Sequence, residues 1–247
     1  MPASTQAAWA PGPARPQLRE GEVHVWRAEL GTVGDQPAEL LCDEEQERAA
    51  RLLRARDRQL WTRGRGVLRR LLGGYLASDP RTLRFATEAH GKPSLIGHAQ
   101  LSFNLSHSGG LALYAFTTVG PVGVDVELAR RPIDAVALAA RAFGPGEAAR
   151  LAALDPATRS RELLRAWTRY EAALKRLGVG IRGGIRDDAG RGGDCGARGD
   201  APEPWIAELD IGPQGAAAVA VEPRPRVLRC WDWPTSPAPG AARGSSR

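Results

Sequence analysis

The segment from Leu101 to Leu128 constrains the fold more than any other, because it contains three consecutive predicted β-strands. The segment is rich in aliphatic and β-branched residues, and glycine-containing turns at 109–110 and 120–121 divide it. A long helical segment precedes it, and shorter helices and further strands follow it. The sequence therefore predicts an α+β fold. The three predicted strands are Ser102–Ser106, Leu111–Thr117 and Val122–Leu128.

The predicted elements follow the same order twice along the chain, in which a strand is followed by helix and then by further strands. We therefore predict two similar α+β halves, residues 20–118 and 119–234. Residues 1–19 and 235–247 are expected to be disordered tails, and residues 185–204, rich in Gly, Asp and Pro, a flexible insertion. The remaining elements are predicted at Glu22–Leu30, Asp43–Leu76 with an interruption near Gly64 and Gly66, Arg81–Ala86, Ala135–Ala142, Gly146–Leu154, Arg159–Leu177, Trp205–Ile211, Ala216–Val221 and Val227–Trp233.

Arginine supplies nearly all of the positive charge. Of the 34 basic residues only Lys92 and Lys175 are lysines, and the net charge is +6 with a pI of about 9.9. The basic balance suits an acidic or phosphorylated partner, and the coding bias of a GC-rich genome explains it equally well. Because Arg and Lys differ in size, hydration and geometry, a lysine retained in such a chain points to a position that needs a compact ammonium.

Composition narrows the class of protein. The fractions of hydrophobic (43%) and charged (25%) residues are those of a globular protein, which argues against disorder of the main body. No apolar run is long enough for a membrane helix. Three scattered cysteines do not suggest a disulfide framework or a zinc site. We therefore expect a soluble cytoplasmic protein.

Two carboxylates stand two residues apart in the sequence Gly123-Val-Asp125-Val-Glu127. On a strand this spacing places both on one face, where they repel each other unless a cation lies between them. Mg²⁺ binds one or two carboxylates together with waters and phosphates. The alternative is an exposed strand that carries two solvated acids.

Three further motifs hold polar groups that suit a phosphorylated ligand. Glu171 and Lys175 lie one helical turn apart, as a surface ion pair or as part of a site. Ser106 and His107 precede a glycine turn, which either binds phosphate or is a plain turn. The turn Gly91-Lys92-Pro93 presents an ammonium on a rigid backbone, although a solvated turn has the same sequence.

Taken in chain order, the four motifs resemble those of the 4′-phosphopantetheinyl transferases of the surfactin-synthetase, broad-specificity type. That order is Gly91-Lys92-Pro93, then Ser106-His107, then Asp125-Val-Glu127, then Glu171-x₃-Lys175. The resemblance runs from about Asp43 to Ile181. It implies a monomer of two α+β halves with pseudo-twofold symmetry, with coenzyme A in the cleft between them. It also implies Mg²⁺-dependent transfer of the phosphopantetheine arm of coenzyme A to a serine of an apo acyl or peptidyl carrier protein, releasing adenosine 3′,5′-bisphosphate. The expected partners are carriers of secondary metabolism, and neither nucleic acid nor a membrane is expected as a partner.

The resemblance also implies roles for individual residues. Asp125, Glu127 and Glu171 would bind Mg²⁺, with Glu171 also the general base. Lys175 would bind the α-phosphate and stabilise the leaving group. The expected coenzyme A contacts are Ser106, His107, the turn Gly91-Lys92-Pro93, Arg65 and, as a weaker match, Arg48.

One departure from the family pattern keeps alternatives open. Tyr170 stands where the family usually has a lysine, directly before Glu171. A family member that binds coenzyme A without turnover is therefore one alternative. The arginine content suggests a second, a basic nucleic-acid-binding protein, although the arginines are spread along the chain rather than clustered.

Overall fold

The computed structural model describes residues 7–33, 36–87, 91–129, 134–179 and 204–234. The predicted insertion, apart from Pro204, and the predicted tail at 235–247, together with Ile181, lie outside these ranges. None of the helices in the described ranges is long and apolar enough to cross a membrane. The helices are α1 (Asp43–Ala50), α2 (Ala55–Leu76), α3 (Ala135–Phe143), α4 (Pro145–Ala152) and α5 (Pro156–Leu177). The strands are β1 (Trp9–Pro11), β2 (Glu22–Glu29), β3 (Phe85–Thr87), β4 (Pro93–Leu95), β5 (Ser102–Ser108), β6 (Leu111–Thr117), β7 (Val122–Leu128), β8 (Trp205–Leu209), β9 (Gly215–Val221) and β10 (Val227–Asp232).

The larger strands form two sheets that belong to different halves of the molecule. A five-stranded sheet has the order β1-β10-β2-β6-β5, and a three-stranded sheet has the order β7-β9-β8. Strands β3 and β4 form a separate two-stranded sheet. The α+β class predicted from the sequence is confirmed, with α2 in the N-terminal half and α3 to α5 in the C-terminal half.

The two sheets pack face to face, with one long helix outside each. Leu68 and Leu72 of α2 pack against Trp26 and Phe116 on the outer face of the larger sheet. The inner faces meet in a second core, to which β2 contributes Val23 and Val25, and β7 Val122, Val124 and Val126. Helix α5 covers the outer face of the smaller sheet through Ala172, which packs against Ala218 and Ala220. The strict alternation on β7 therefore leaves 123, 125 and 127 facing α5.

Both chain ends of the described region join the N-terminal sheet, which differs from the predicted boundaries. Residues 9–11, predicted as part of a disordered tail, pair with β10 in parallel. Strand β10, predicted to close the C-terminal half, lies between β1 and β2 instead. The reason is burial, because Cys230 of β10 and Trp9 of β1 pack on the apolar layer between the sheets. Strand patterns predict that a segment is buried, but they do not identify its partner.

The long helical segment breaks at Arg51–Arg54 and not at its glycines. The carbonyl oxygen of Gly64 accepts a 2.9 Å hydrogen bond from the Tyr114 hydroxyl, and the glycine faces Leu30. The glycine thus marks where α2 approaches the sheet closely rather than where the helix ends. The predicted strand Arg81–Ala86 also differs, because Pro80–Thr82 forms a 3₁₀ turn before β3.

Candidate active site

The two halves meet along β5 and β7, the edge strands of their sheets. The Asn104 side-chain oxygen accepts a hydrogen bond from the Val124 backbone N–H at 2.9 Å. The Ser108 hydroxyl accepts one from the Leu128 N–H at 3.1 Å. Side chains of β5 thus satisfy backbone groups of β7 that a neighbouring strand would otherwise pair. This register places Ser106 opposite Asp125 and Ser108 opposite Glu127.

Asp125 lies at the centre of this seam and is 1% exposed. Its Oδ1 accepts hydrogen bonds from the Ser106 hydroxyl at 2.8 Å and from the Lys175 ammonium at 2.5 Å. Its Oδ2 is buried, and no hydrogen-bond partner for it occurs among the described residues. A buried carboxylate oxygen without a partner is costly, so this atom is suited to a cation or another donor.

The neighbouring carboxylates have raised pKa values. Glu171 is buried on α5, and its burial, followed by the charge of Asp125, raises its pKa to about 7. The nearby ammonium of Lys175 opposes this effect, and Glu127 adds to it. Glu127 is half-buried, and its burial raises its pKa, while a 3.0 Å hydrogen bond from Ser108 opposes the increase. A carboxyl that titrates near neutrality can accept a proton at physiological pH.

Lys175 connects these acidic groups. Its Nζ donates to Ser106 Oγ at 2.8 Å and lies 3.8 Å from Glu171 Oε2, in addition to its contact with Asp125. The side chain is 28% exposed, so it is partly accessible to solvent. The one-turn spacing of Glu171 and Lys175 thus belongs to a cross-half cluster and not to a solvated surface pair.

Gly123 explains how α5 comes this close to β7. A Cβ atom at residue 123 would lie 2.0 Å from the Ala172 carbonyl oxygen and 2.4 Å from the Arg176 nitrogen. These are backbone atoms of α5, which a side-chain rotation cannot move. Only glycine therefore allows the helix to rest on the strand so that Lys175 lies over Asp125.

The donor chemistry suits a hard cation, but the ligands are not assembled. The three acidic side chains supply carboxylate oxygens, which Mg²⁺ prefers. Within the described ranges, however, no three His, Cys, Asp or Glu side chains are gathered closely enough to hold a metal ion. The ammonium of Lys175 lies among these oxygens, on Asp125 and near Glu171.

Lys92 and a cavity lie at the C-terminal end of α5. The Lys92 ammonium donates to the Lys175 carbonyl oxygen at 2.9 Å and to those of Val122 and Arg176 at 3.3 Å. A cation in this position complements the negative C-terminal end of the helix. Next to it is a cavity of about 420 Å³, whose walls include Pro93, Phe103 and Arg176. The buried Nε of Arg176 has no partner among the described residues.

The other predicted coenzyme A contacts are dispersed. The side chain of His107 is exposed. Protein atoms around the imidazole remove part of its hydration, and this desolvation, followed by the charge of Lys175, lowers its pKa. Gly91 has a φ of +85°, a conformation that favours glycine and turns the chain before Lys92.

Neither predicted arginine lines the cavity. The Arg65 Nε pairs with Glu45, and its guanidinium stacks 3.8 Å from the Phe85 ring centroid. Arg48 is exposed, and its guanidinium lies 5.7 Å from the centroid of the Trp61 ring. Their phosphate-binding roles stay predictions.

Several residues of the cluster were not predicted as functional. Asn104 and Ser108 flank Ser106 in the same strand, and the period-two spacing places all three on one face. That spacing was the available signal for them. Trp167, which hydrogen-bonds to Glu171, gives no comparable signal, because an aromatic residue at this helical spacing also fits core packing.

We expect the substitution Tyr170→Lys to destabilise the fold by about 1 kcal/mol without lowering the KM for coenzyme A. Tyr170 packs edge-on against Phe143 at a centroid distance of 5.5 Å and lies 6.4 Å from Trp167. A lysine would lose these ring contacts. Thermal melts and steady-state kinetics test this, with Arg161→Lys, at an exposed position of the same helix, as the control. An unchanged melting temperature with a lower KM would contradict it.

Comparison with known proteins places both halves in one family. The family model described as 4′-phosphopantetheinyl transferase, N-terminal, matches residues 33–118, and that described as the 4′-phosphopantetheinyl transferase superfamily matches residues 121–191. The 4′-phosphopantetheinyl transferase HetI of Nostoc sp. is 39% identical over 182 residues, covering 71% of this chain and 77% of that protein. Sfp of Bacillus subtilis is 28% identical over 138 residues, covering 56% and 60%. AcpT of Escherichia coli is 34% identical over 121 residues, covering 49% and 58%. This chain belongs to the 4′-phosphopantetheinyl transferase superfamily.

Proposed function

We propose that this protein transfers the 4′-phosphopantetheine arm of coenzyme A to a serine of an apo carrier protein. The observation that carries the proposal is the cluster of Asp125, Glu127, Glu171 and Lys175 at the seam between the halves. It combines a carboxyl whose pKa is about 7 with a lysine whose side chain is partly exposed. Acceptance of a proton and stabilisation of an anionic leaving group are the two requirements of phosphoryl-group transfer.

The chain's own residues supply the proton transfer and the leaving-group contact. The serine oxygen forms a bond to the β-phosphorus of coenzyme A, and its proton passes to the Glu171 carboxylate. The bond from that phosphorus to the bridging oxygen breaks, and adenosine 3′,5′-bisphosphate leaves with the electron pair. Lys175 stabilises the charge that develops on this group. Asp125, Glu127 and Glu171 would hold Mg²⁺, which neutralises diphosphate charge when it is bound.

The nucleotide end of coenzyme A has a candidate position in the cavity beside Lys92. The lining residues Arg176 and Ser102 carry polar side chains, and Phe103 offers an aromatic surface. The cavity lies on the same seam as Asp125, so one extended ligand can reach both. Between the cavity and Asp125, Ser106 and His107 are the proposed contacts to the phosphates of coenzyme A. Arg65 and Arg48 are further candidates.

The proposal is tested by incubating apo acyl or peptidyl carrier proteins with this protein, coenzyme A and Mg²⁺. A gain of about 340 Da on the carrier, found by mass spectrometry, is expected from addition of the phosphopantetheine arm. Coenzyme A binding without any mass gain on a panel of carriers would favour a binding protein without turnover. Salt-sensitive binding of nonspecific DNA with no transfer would favour the nucleic-acid alternative.

We expect chelation of divalent cations to abolish transfer and added Mg²⁺ to restore it. The three carboxylates repel each other, and a cation relieves that repulsion while it neutralises the diphosphate. The measurement is the rate of carrier modification in excess chelator, before and after Mg²⁺ is restored. Full activity in excess chelator would contradict the assignment of these residues as metal ligands.

The finer classification is also a proposal. We infer the surfactin-synthetase, broad-specificity type, acting as a cytoplasmic monomer on carriers of secondary metabolism. Its support is the presence of both halves in one chain. Comparing initial rates on peptidyl and acyl carriers tests the subtype, because a broad-specificity enzyme modifies both at similar rates.

A further inference from the structure

The ammonium of Lys175 occupies the position next to Asp125 where a cation would bind. It donates to Asp125 Oδ1 at 2.5 Å, and its second donor contact, with Ser106 at 2.8 Å, fixes it on the same side. Asp125 is almost fully buried, and among the described residues its carboxylate forms an ion pair with Lys175 alone. In the structure as it stands, Lys175 is therefore an internal counter-ion of Asp125.

Two cations compete for this carboxylate. An ammonium and a divalent ion a few ångströms apart in a partly desolvated site repel each other strongly. Lys175 also lies 3.8 Å from Glu171 Oε2, so it neutralises two of the three proposed metal ligands. Its side chain is 28% exposed, whereas the side chain of Asp125 is 1% exposed. The lysine is consequently the group that can move.

We propose that a divalent cation, on binding, displaces the Lys175 ammonium from Asp125 into the cleft, where it becomes available to the substrate diphosphate. The movement is confined to the side chain, because Lys92 holds the Lys175 carbonyl oxygen at 2.9 Å. Before the cation binds, the lysine is engaged with the protein and contributes less to phosphate binding. Cation binding therefore increases the affinity for a diphosphate ligand, and the ligand increases the affinity for the cation to the same extent.

The inference rests on the proposed function for the presence of a cation, and it is tested on the free protein. Binding of Mn²⁺ alone is measured by calorimetry for wild type, Lys175→Met and Arg165→Met. Lys175→Met is expected to bind Mn²⁺ about tenfold more tightly or better, since a competing charge is removed. Arg165→Met removes the same charge from an exposed position of the same helix and is expected to stay within about twofold of wild type. Equal or weaker binding by Lys175→Met overturns the proposal.

A second measurement separates displacement from mere repulsion. The chain has only two lysines, so side-chain ¹⁵N labelling of lysine yields two ammonium signals in an NMR spectrum. At saturating Mg²⁺, the Lys175 signal is expected to shift and broaden as it loses its hydrogen bonds to Asp125 and Ser106, while the Lys92 signal stays in place. The rate of acetylation of Lys175, measured by mass spectrometry, is also expected to increase at saturating Mg²⁺. An unchanged Lys175 signal and acetylation rate at cation saturation overturn the proposal.

Neither measurement requires coenzyme A or a carrier. Failure of this inference can therefore be distinguished from failure of the proposed function. A protein that modifies carriers but whose Lys175 does not respond to the cation retains the proposed function and loses this inference. A protein whose Lys175 responds but that modifies no carrier retains the inference and loses the proposed function.

Discussion

Glu171→Gln is expected to lower the kcat of carrier modification about a thousandfold, because the amide cannot accept the serine proton. The substitution keeps the size of the side chain, which is buried beside Trp167. The loss is therefore one of chemistry and not of packing. Single-turnover rates on an apo carrier measure it. The matched control is Glu162→Gln, at a half-buried position of the same helix where the carboxylate pairs with Arg150 and Arg165. A rate within about tenfold of wild type would contradict the role of Glu171 as base.

The same variant is expected to be more stable than wild type at alkaline pH and equally stable in acid. The Glu171 pKa is about 7 in the folded protein, against 4.5 for an unperturbed carboxyl. Between these values the folded state binds more protons than the unfolded state, so wild-type stability falls as the pH rises toward and through 7. Glutamine does not titrate, so the variant does not lose stability in this way as the pH rises. Urea unfolding without divalent cations should show a gain of about 1–2 kcal/mol near pH 8 and almost none near pH 4. A gain of equal size at every pH would show that the Glu171 carboxyl does not titrate in this range.

Gly123→Ala is expected to lower the transfer rate about a hundredfold and the free energy of unfolding by about 2–3 kcal/mol. The added Cβ would lie 2.0 Å from the Ala172 carbonyl oxygen, so α5 must move away from β7 by more than an ångström. That movement separates Lys175 from Asp125 and repositions Glu171 relative to the acids of β7. Chemical denaturation and steady-state kinetics measure the two effects.

The control for this variant is Gly146→Ala in α4. A Cβ atom at residue 146 meets no atom within 4 Å, and alanine favours a helix more than glycine does. Stability should rise slightly and activity should not change. If Gly123→Ala behaved like Gly146→Ala, close contact between α5 and β7 would not be what positions the site.

The longer elements of the fold were predictable from local patterns, but the short strand β1 and the pairing of the strands were not. Val122, Val124 and Val126 alternate with Gly123, Asp125 and Glu127, and this alternation indicates correctly which face of β7 belongs to the apolar core between the sheets. The position of β10 depends on which other strands have exposed edges, and local sequence does not contain that information. The break predicted near Gly64 and Gly66 was wrong for a similar reason, since only the tertiary contact with Tyr114 shows what Gly64 does.

Part of the candidate site was also predictable. Spacing alone put Asp125 and Glu127 on one face and Glu171 and Lys175 on another, and the structure brings the two pairs together, whereas their roles stay predictions. Ion-pair partners could not be read from spacing. Arg65 pairs with Glu45, twenty residues away, and Lys92 binds carbonyl oxygens at the end of a helix in the other half. Such contacts depend on packing between elements that are distant in the chain.

The position of β10 has a consequence for biosynthesis. While residues 1–118 emerge from the ribosome, α2, β2, β5 and β6 can associate, but one edge of β2 stays open until residues 227–232 have been made. An open, apolar strand edge on a partly folded chain is prone to aggregation. The N-terminal half is thus completed by a strand that begins 110 residues after the end of β6. A gene divided at the junction between the halves would yield an N-terminal product without its inner strand, and we expect the two halves to be inherited as a unit.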